Sequence, residues 1–586
     1  MRNLIYLLGL FGLFLGWTLP NHYPPWTAFH LEFSAAVGSC LIAWAVLVFS
    51  STRFATLGGV SLARASVGPR LSAPISAKVW FLVGLAPALQ YVAGMLPFRG
   101  DAVIGMLYGV GVGLCIYIGH LWAAQEGTAR VMRALCLTVV IAGIAANGLA
   151  LLQWLRLGPP GWWAMELIDD RPYANLAQPN HFGLLMVMAL VAVTALFESA
   201  VVKSRCVYVL AVAYFGWGVH ISQSRASALA LLAVVALWLI TRKRVSTRLH
   251  PGFVVPATLA WCLLSLALPH LQEALLLTST EIRTPAEVGA RHWIWLHFWE
   301  AITQRPWAGY GFNQGVLALS EVADQVHPSR NVVFAHNVVL DLMTWFGIPF
   351  GLASTAAIGL WMSGWLRQKP DPAFMAQRHI VFALWLALVL QSLLEFPYAH
   401  TYFLLPLALM AGVVTQGPNL PRQSSAPMAA SRVMVALAIA TTATLGLLGW
   451  EYFELETEFR HHRFERANVG SRVERATLKP PLVLDQLAAL NASAKLVVRA
   501  GMPPDQLDAM RTLARRFHIL STRTEYAKAL AINGRVAEAE HELKVIRSAY
   551  DEKRGAKIER EWRAWKAVQA ATTEQDVQQP VHELPP

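Results

Sequence analysis

Four polar constellations interrupt an otherwise apolar chain, and each holds residue types suited to an anionic or hydroxyl-bearing ligand. The longest, residues 272–337, carries Arg283, Arg291, Arg305 and Arg330 but no lysine, and closes on His336-Asn337. A histidine accepts a proton near neutral pH, so His336 is a candidate general base, with a purely structural role as the alternative. Arginine grips phosphate through a planar fork that lysine lacks. Arg291 opens RHWIWLHFWE, a tryptophan-rich segment suited to a membrane interface, where it can equally snorkel to lipid phosphate. Tyr310 sits in the glycine-flanked turn WAGYGF, a weak phosphate-loop signal.

The second constellation is Ser222-Gln223-Ser224-Arg225-Ala226-Ser227, a polar break between two apolar runs. A charge placed mid-membrane costs about 3 kcal/mol, so Arg225 must face a cavity, a partner or the boundary. The third, Asn175 to Gly183 (NLAQPNHFG), puts Gln178, Asn180 and His181 at the entry to an apolar run. There they can bind sugar hydroxyls or an anion, or simply cap a helix. The fourth, Phe334-Ala335-His336-Asn337, opens the apolar run after the long loop; separately, Glu395-Phe396-Pro397-Tyr398 ends a span on the same face, where Glu395 can balance an arginine, orient a ligand or mark an interface.

The elements that must position these residues are membrane spans. Of 586 residues, 55% are hydrophobic and 14% charged, against about 25% charged in soluble domains. Runs near twenty apolar residues predict about thirteen spans, over residues 3–19, 29–50, 79–96, 102–124, 134–155, 178–200, 207–221, 226–241, 253–271, 336–364, 380–396, 402–415 and 433–450. The net charge of +12 is scattered through short loops, which indicates positive-inside topology rather than nucleic-acid binding. Every lysine before residue 450 falls on the expected cytoplasmic side, whereas the opposite side keeps basic charge only as arginine. Thr284-Pro285-Ala286-Glu287 is a capping box that predicts a helix ending near Gln304. Beyond 451 the chain is polar and helical in pattern. YAKALAINGRVAEAEHELKVI there resembles a tetratricopeptide helix pair turning at Asn533-Gly534, and the closing TTEQDVQQPVHELPP reads as disordered. This divides the chain into N-terminal spans (1–160), a core (161–450) with a catalytic loop (272–335), and a C-terminal helical domain (451–586).

Taken in order, SQSRAS, RHWIW, PWAGYGF and AHN resemble the core of the bacterial O-antigen ligase and polymerase superfamily (WaaL- and Wzy-like). NLAQPNHFG, LEFPYAHTYFLLPLAL and the helical tail resemble its pilin glycosylation ligases, the PglL-type protein O-oligosaccharyltransferases. The resemblance implies an all-α, GT-C-like enzyme of the inner membrane with its active site facing the periplasm. It implies transfer of a glycan from undecaprenyl pyrophosphate to a pilin-like acceptor, without metal, cofactor or nucleotide sugar. It places catalytic roles on His336, Arg225 and Arg291, and substrate contacts on Gln178, Asn180, His181 and Glu395. Ligation to lipid A core and glycan polymerisation are the alternatives within the class. A lipid-linked sugar transporter is the alternative outside it, disfavoured by the absence of repeated halves and of charges mid-span.

Overall fold

The structure, a computed structural model, describes residues 1–52, 70–158, 161–168, 170–245, 248–275, 277, 291–323, 325, 332–367, 372–415, 429–430, 432–469, 479–517, 519–548 and 552–578. Apart from a two-residue parallel bridge between Arg70–Leu71 and Ala429–Ala430, the regular structure among them is helical. In chain order the α-helices are α1 Arg2–Thr18, α2 Phe29–Thr52, α3 Ile75–Val92, α4 Arg99–Glu126, α5 Thr128–Trp154, α6 Pro179–Glu198, α7 Arg205–Ile221, α8 Arg225–Thr241 and α9 Pro251–Ala274. There follow α10 Arg291–Gln304, α11 Gly315–Glu321, α12 Val338–Phe346, α13 Ile348–Arg367, α14 Pro372–Ser392, α15 Thr401–Val413 and α16 Arg432–Arg466. The tail forms α17 Asp485–Lys495, α18 Pro504–Arg516, α19 Leu520–Ile532, α20 Val536–Ser548 and α21 Glu552–Gln578.

Seven of the described helices are long and apolar enough to cross a membrane, and five shorter ones are also apolar. The protein is therefore a multi-pass helical membrane protein. One expected span is corrected. Residues 336–364 do not form one helix but break at Gly347, whose φ of 83° ends α12 and starts α13. A Cβ there would lie 2.3 Å from the Trp307 carbonyl oxygen, so the backbones meet where only glycine fits.

The chain clusters into two compact units. The first comprises residues 1–287, 336–339 and 352–488. Its centre is α6, apolar all round and almost wholly buried, as a helix surrounded by other helices must be. Small residues bring its neighbours together. On α4, a Cβ at Gly119 would sit 2.0 Å from the Leu409 carbonyl oxygen; on α15, a Cβ at Gly412 would sit 2.0 Å from that of Ile116. Gly119→Leu is accordingly expected to abolish the folded protein, read as loss of the monodisperse peak after detergent extraction.

The second unit comprises residues 288–335, 340–351 and 489–586. The loop helices and the tail thus pack as one body. Arg523 of α19 is buried; its guanidinium donates to the Ala514 carbonyl and, at 2.6 Å, to the Ser320 hydroxyl of α11. α19 and α20 turn at Asn533-Gly534, where Gly534 takes a φ of 80°. Two features of the tail depart from expectation. α16 runs unbroken across residue 451, and α21 continues through residues 572–578, part of the stretch expected to be disordered. The last eight residues of that stretch lie outside the described set.

Candidate active site

His336 stands two residues before α12, with a φ of 54° that is uncommon for a residue bearing a side chain. The next residue, Asn337, caps α12, its Oδ1 accepting the Val339 amide at 3.0 Å. The His336 ring is fixed instead by Glu395. Nδ1 lies 3.0 Å from Oε2 of that carboxylate, which is 2% exposed at the end of α14. Phe396 meets the imidazole edge-on at 4.8 Å. With Nδ1 donating to a carboxylate, the lone pair of the neutral ring is on Nε2, the arrangement that suits a general base. The side chain is 21% exposed, so an acceptor can reach it.

A polar tier joins the two upstream motifs. Gln178 is the N-cap of α6, its Oε1 accepting the Asn180 amide at 3.3 Å. The amide of Gln391 donates to the Asn180 carbonyl, and its Oε1 accepts from the Ser227 hydroxyl at 3.1 Å. Arg171 donates to the Ser222 carbonyl at 2.9 Å and to Asn180 Oδ1 at 3.1 Å. Arg171 and Gln391 therefore tie NLAQPNHFG to SQSRAS. Sequence reading gave Arg171 no role beyond its side of the membrane and passed over Gln391. Arg225 begins α8 and is exposed, with Ser224 capping the helix through the Ser227 amide. Gln391→Leu is expected to remove one hydrogen bond from the buried Ser227 hydroxyl and one from the Asn180 carbonyl, costing about 0.5–1.5 kcal/mol for each bond and lowering the melting temperature. Nanoscale fluorimetry of the detergent-solubilised variant checks this.

Behind His336 lies a second carboxylate–imidazole couple. His400 Nδ1 is 2.9 Å from Glu32 Oε1, and the Tyr108 hydroxyl lies 2.6 Å from Glu32 Oε2. His181 is 1% exposed, with Nδ1 3.2 Å from the Tyr402 hydroxyl and its ring 4.8 Å from that of His400. His22, in the loop after α1, bonds the Asn175 carbonyl at 2.8 Å. Burial, with His400 and His30 nearby, holds its pKa below the ordinary histidine range. Asn175 itself is structural: it bonds the carbonyls of Thr18 and Trp163 and the Met165 amide. The sequence did hold a signal for Glu32, since a carboxylate within an apolar run is costly and marks function.

Arg291 and Tyr310 belong to the second unit. Arg291 is the first described residue of α10, which ends at Gln304 as expected; the capping box 284–287, Arg283 and Arg330 lie outside the described residues. Tyr310 is buried, its hydroxyl donating to the Ala301 carbonyl at 3.0 Å while Arg305 covers its ring at 4.5 Å. Burial pushes its pKa up to about 12. The phosphate-loop reading of this turn is corrected: the amides of Tyr310 and Gly311 bond the Thr344 and Trp345 carbonyls of α12 at 2.7 and 3.1 Å, so they are not offered to a phosphate.

Two family descriptions match this helical membrane protein. An O-antigen ligase family matches residues 210–353, and the C-terminal region of a virulence-factor membrane-bound polymerase family matches residues 379–564. The chain is an enzyme of glycosyltransferase type, similar to the O-antigen ligases. Among individual relatives, a general O-oligosaccharyltransferase of Acinetobacter baylyi is 27% identical over 458 residues, 76% of each chain. A ComP-specific O-oligosaccharyltransferase of the same organism is 27% identical over 348 residues, 57% of this chain and 61% of the relative.

Proposed function

We propose that this enzyme transfers an oligosaccharide en bloc from undecaprenyl pyrophosphate to a serine or threonine hydroxyl of a pilin-like protein, on the periplasmic face of the bacterial inner membrane. The observation that carries the proposal is the His336–Glu395 couple, exposed enough for an acceptor and oriented to present Nε2. Similarity to two protein O-oligosaccharyltransferases supports the choice of acceptor class. A hydroxyl is a poor nucleophile until its proton is taken. In the proposed step the acceptor oxygen attacks the anomeric carbon as its proton passes to His336 Nε2. The bond from that carbon to the pyrophosphate oxygen breaks, and its electron pair departs with the pyrophosphate.

Charge developing on that leaving group calls for fixed donors. Arg225, exposed at a helix start, is suited to supply them; the resemblance in sequence assigns Arg291 the same task. Such arginines would take the part that a metal plays in nucleotide-sugar enzymes. Gln178, Asn180, His181 and Asn337 complete the proposed substrate contacts or their support; Tyr310, buried and bonded within its own unit, is left with a structural role. About thirteen spans would place the tetratricopeptide-like tail on the acceptor side. Cysteine labelling in intact cells is then expected to reach positions near 300 and in the tail but not Lys78 or Lys243. Protection near residue 300 would overturn the topology. The function itself is tested by incubating purified enzyme with lipid-linked oligosaccharide and a candidate pilin. A pilin that gains the mass of the whole glycan supports the proposal; glycan found only on lipid A core or on longer glycan chains refutes the acceptor.

A further inference from the structure

A cavity of about 1320 Å³, its mouth included, lies between α6, α7, α8, α9 and α14, away from the site described above. Val191, Val212, Val234, Ala257 and Ala383 line it, one from each helix, and its wall is apolar almost throughout. Several polar side chains of the wall are engaged within the protein. Thr241 and Thr258 donate to the Leu237 and Val254 carbonyls one turn back, at 2.7 and 2.8 Å, and the Trp261 indole donates to the Gly216 carbonyl at 2.9 Å. Glu198 accepts the amides of Arg248 and Leu249 at 2.5 and 3.1 Å. Arg242, directly after α8, lies at one end of the cavity, and among the described residues no acidic partner holds its guanidinium. Lys203, Arg205, Lys243, Arg244 and Arg248 flank the same helix ends, and Glu198 is the one acid in residues 198–250.

We propose that this cavity binds an anionic phospholipid, an acyl chain filling the apolar space and the phosphodiester held by Arg242. Apolar walls favour a hydrocarbon body, since burial removes its surface from water or from less closely packed surroundings. An arginine without a partner at the rim favours a phosphate, which its planar fork grips through two parallel hydrogen bonds. One molecule that meets both demands is a lipid with an anionic head, and basic pockets between membrane helices hold such heads. The donor lipid meets only the first. On the function proposed above its pyrophosphate belongs at the His336 end, whereas Arg242 lies at the other end of the bundle. The distance is set by α6, whose 20 residues from Pro179 to Glu198 span about 30 Å. The bound lipid therefore comes from the leaflet opposite the active site. Positive-inside topology accounts for basic loops on that side. It does not account for an apolar cavity that ends on one of their arginines.

The test is native mass spectrometry of the full-length, detergent-solubilised protein titrated with phosphatidylglycerol, with phosphatidylcholine of the same chains, or with undecaprenyl phosphate. The melting temperature is read in parallel. Wild type is expected to retain one phosphatidylglycerol about tenfold more tightly than phosphatidylcholine. Its melting temperature should rise with that lipid, because a ligand of the native state stabilises it. Arg242→Gln should bind both phospholipids alike, having lost the fork but not the cavity. Ala257→Phe, which fills the cavity from α9, should retain neither. Arg432→Gln removes an exposed arginine outside the cavity, at the start of α16, and should bind as wild type does. Equal binding of the two phospholipids by wild type, or undiminished phosphatidylglycerol binding by Arg242→Gln or by folded Ala257→Phe, overturns the proposal. An equal loss in Arg432→Gln also overturns it, since that marks general attraction to surface charge. Displacement of phosphatidylglycerol by an equal concentration of undecaprenyl phosphate assigns the cavity to the donor's chain and refutes it as well. Should Ala257→Phe fail to fold by gel filtration, the two arginine variants decide.

Discussion

Replacing His336 with alanine is expected to cut transfer by about 10²–10⁴-fold, the usual contribution of a positioned base. Donor binding should remain close to normal. The imidazole meets the protein through one hydrogen bond to Glu395 and one ring contact with Phe396, so its loss disturbs little of the core. A histidine that merely bound pyrophosphate would behave differently, since donor affinity would fall together with turnover. Steady-state rates at several donor concentrations, with donor affinity measured separately, distinguish the two.

The second large effect is expected at Glu395. Glu395→Gln keeps shape and volume but removes the charge that stabilises the imidazolium as the proton arrives. It also lets the side chain donate to Nδ1, which would place the ring hydrogen on Nε2 and leave no base facing the acceptor. Carboxylates that orient a catalytic imidazole contribute between about 10² and 10⁴ in turnover, and a loss of that order is expected here without loss of donor affinity. Because Glu395 is buried, a fall in rate could also follow from misfolding; an unchanged melting temperature in the same sample separates the two. Turnover within a few-fold of wild type would show that the carboxylate does not set the tautomer of His336.

The sequence revealed the residues of this site better than their partnerships. His336 and Glu395 each stood out as polar groups at the edge of an apolar run, yet 59 positions separate them, and only the folded bundle shows that one holds the other. The role of Gln178 as a cap was legible because capping is local: its side-chain oxygen reaches an amide two residues on. The turn at Asn533-Gly534 was legible for the same reason. Glu32 was missed because residues 1–160 were read only as spans, although the carboxylate in FHLEFSAAV was a signal against its apolar background. The break at Gly347 was hidden because its cause is tertiary: the chain near Trp307 occupies the space a longer side chain would need. The glycines around Tyr310 suggested a phosphate loop, but what they permit is close approach to the end of α12.

The most direct test of the proposed chemistry is a single-turnover measurement on enzyme already loaded with lipid-linked oligosaccharide and mixed rapidly with acceptor pilin. Wild type is expected to form glycosylated pilin in one exponential phase. His336→Ala, carrying the same amount of bound donor, is expected to form it at least about 10²-fold more slowly. An unchanged single-turnover rate in His336→Ala would contradict the assignment of His336 as the base.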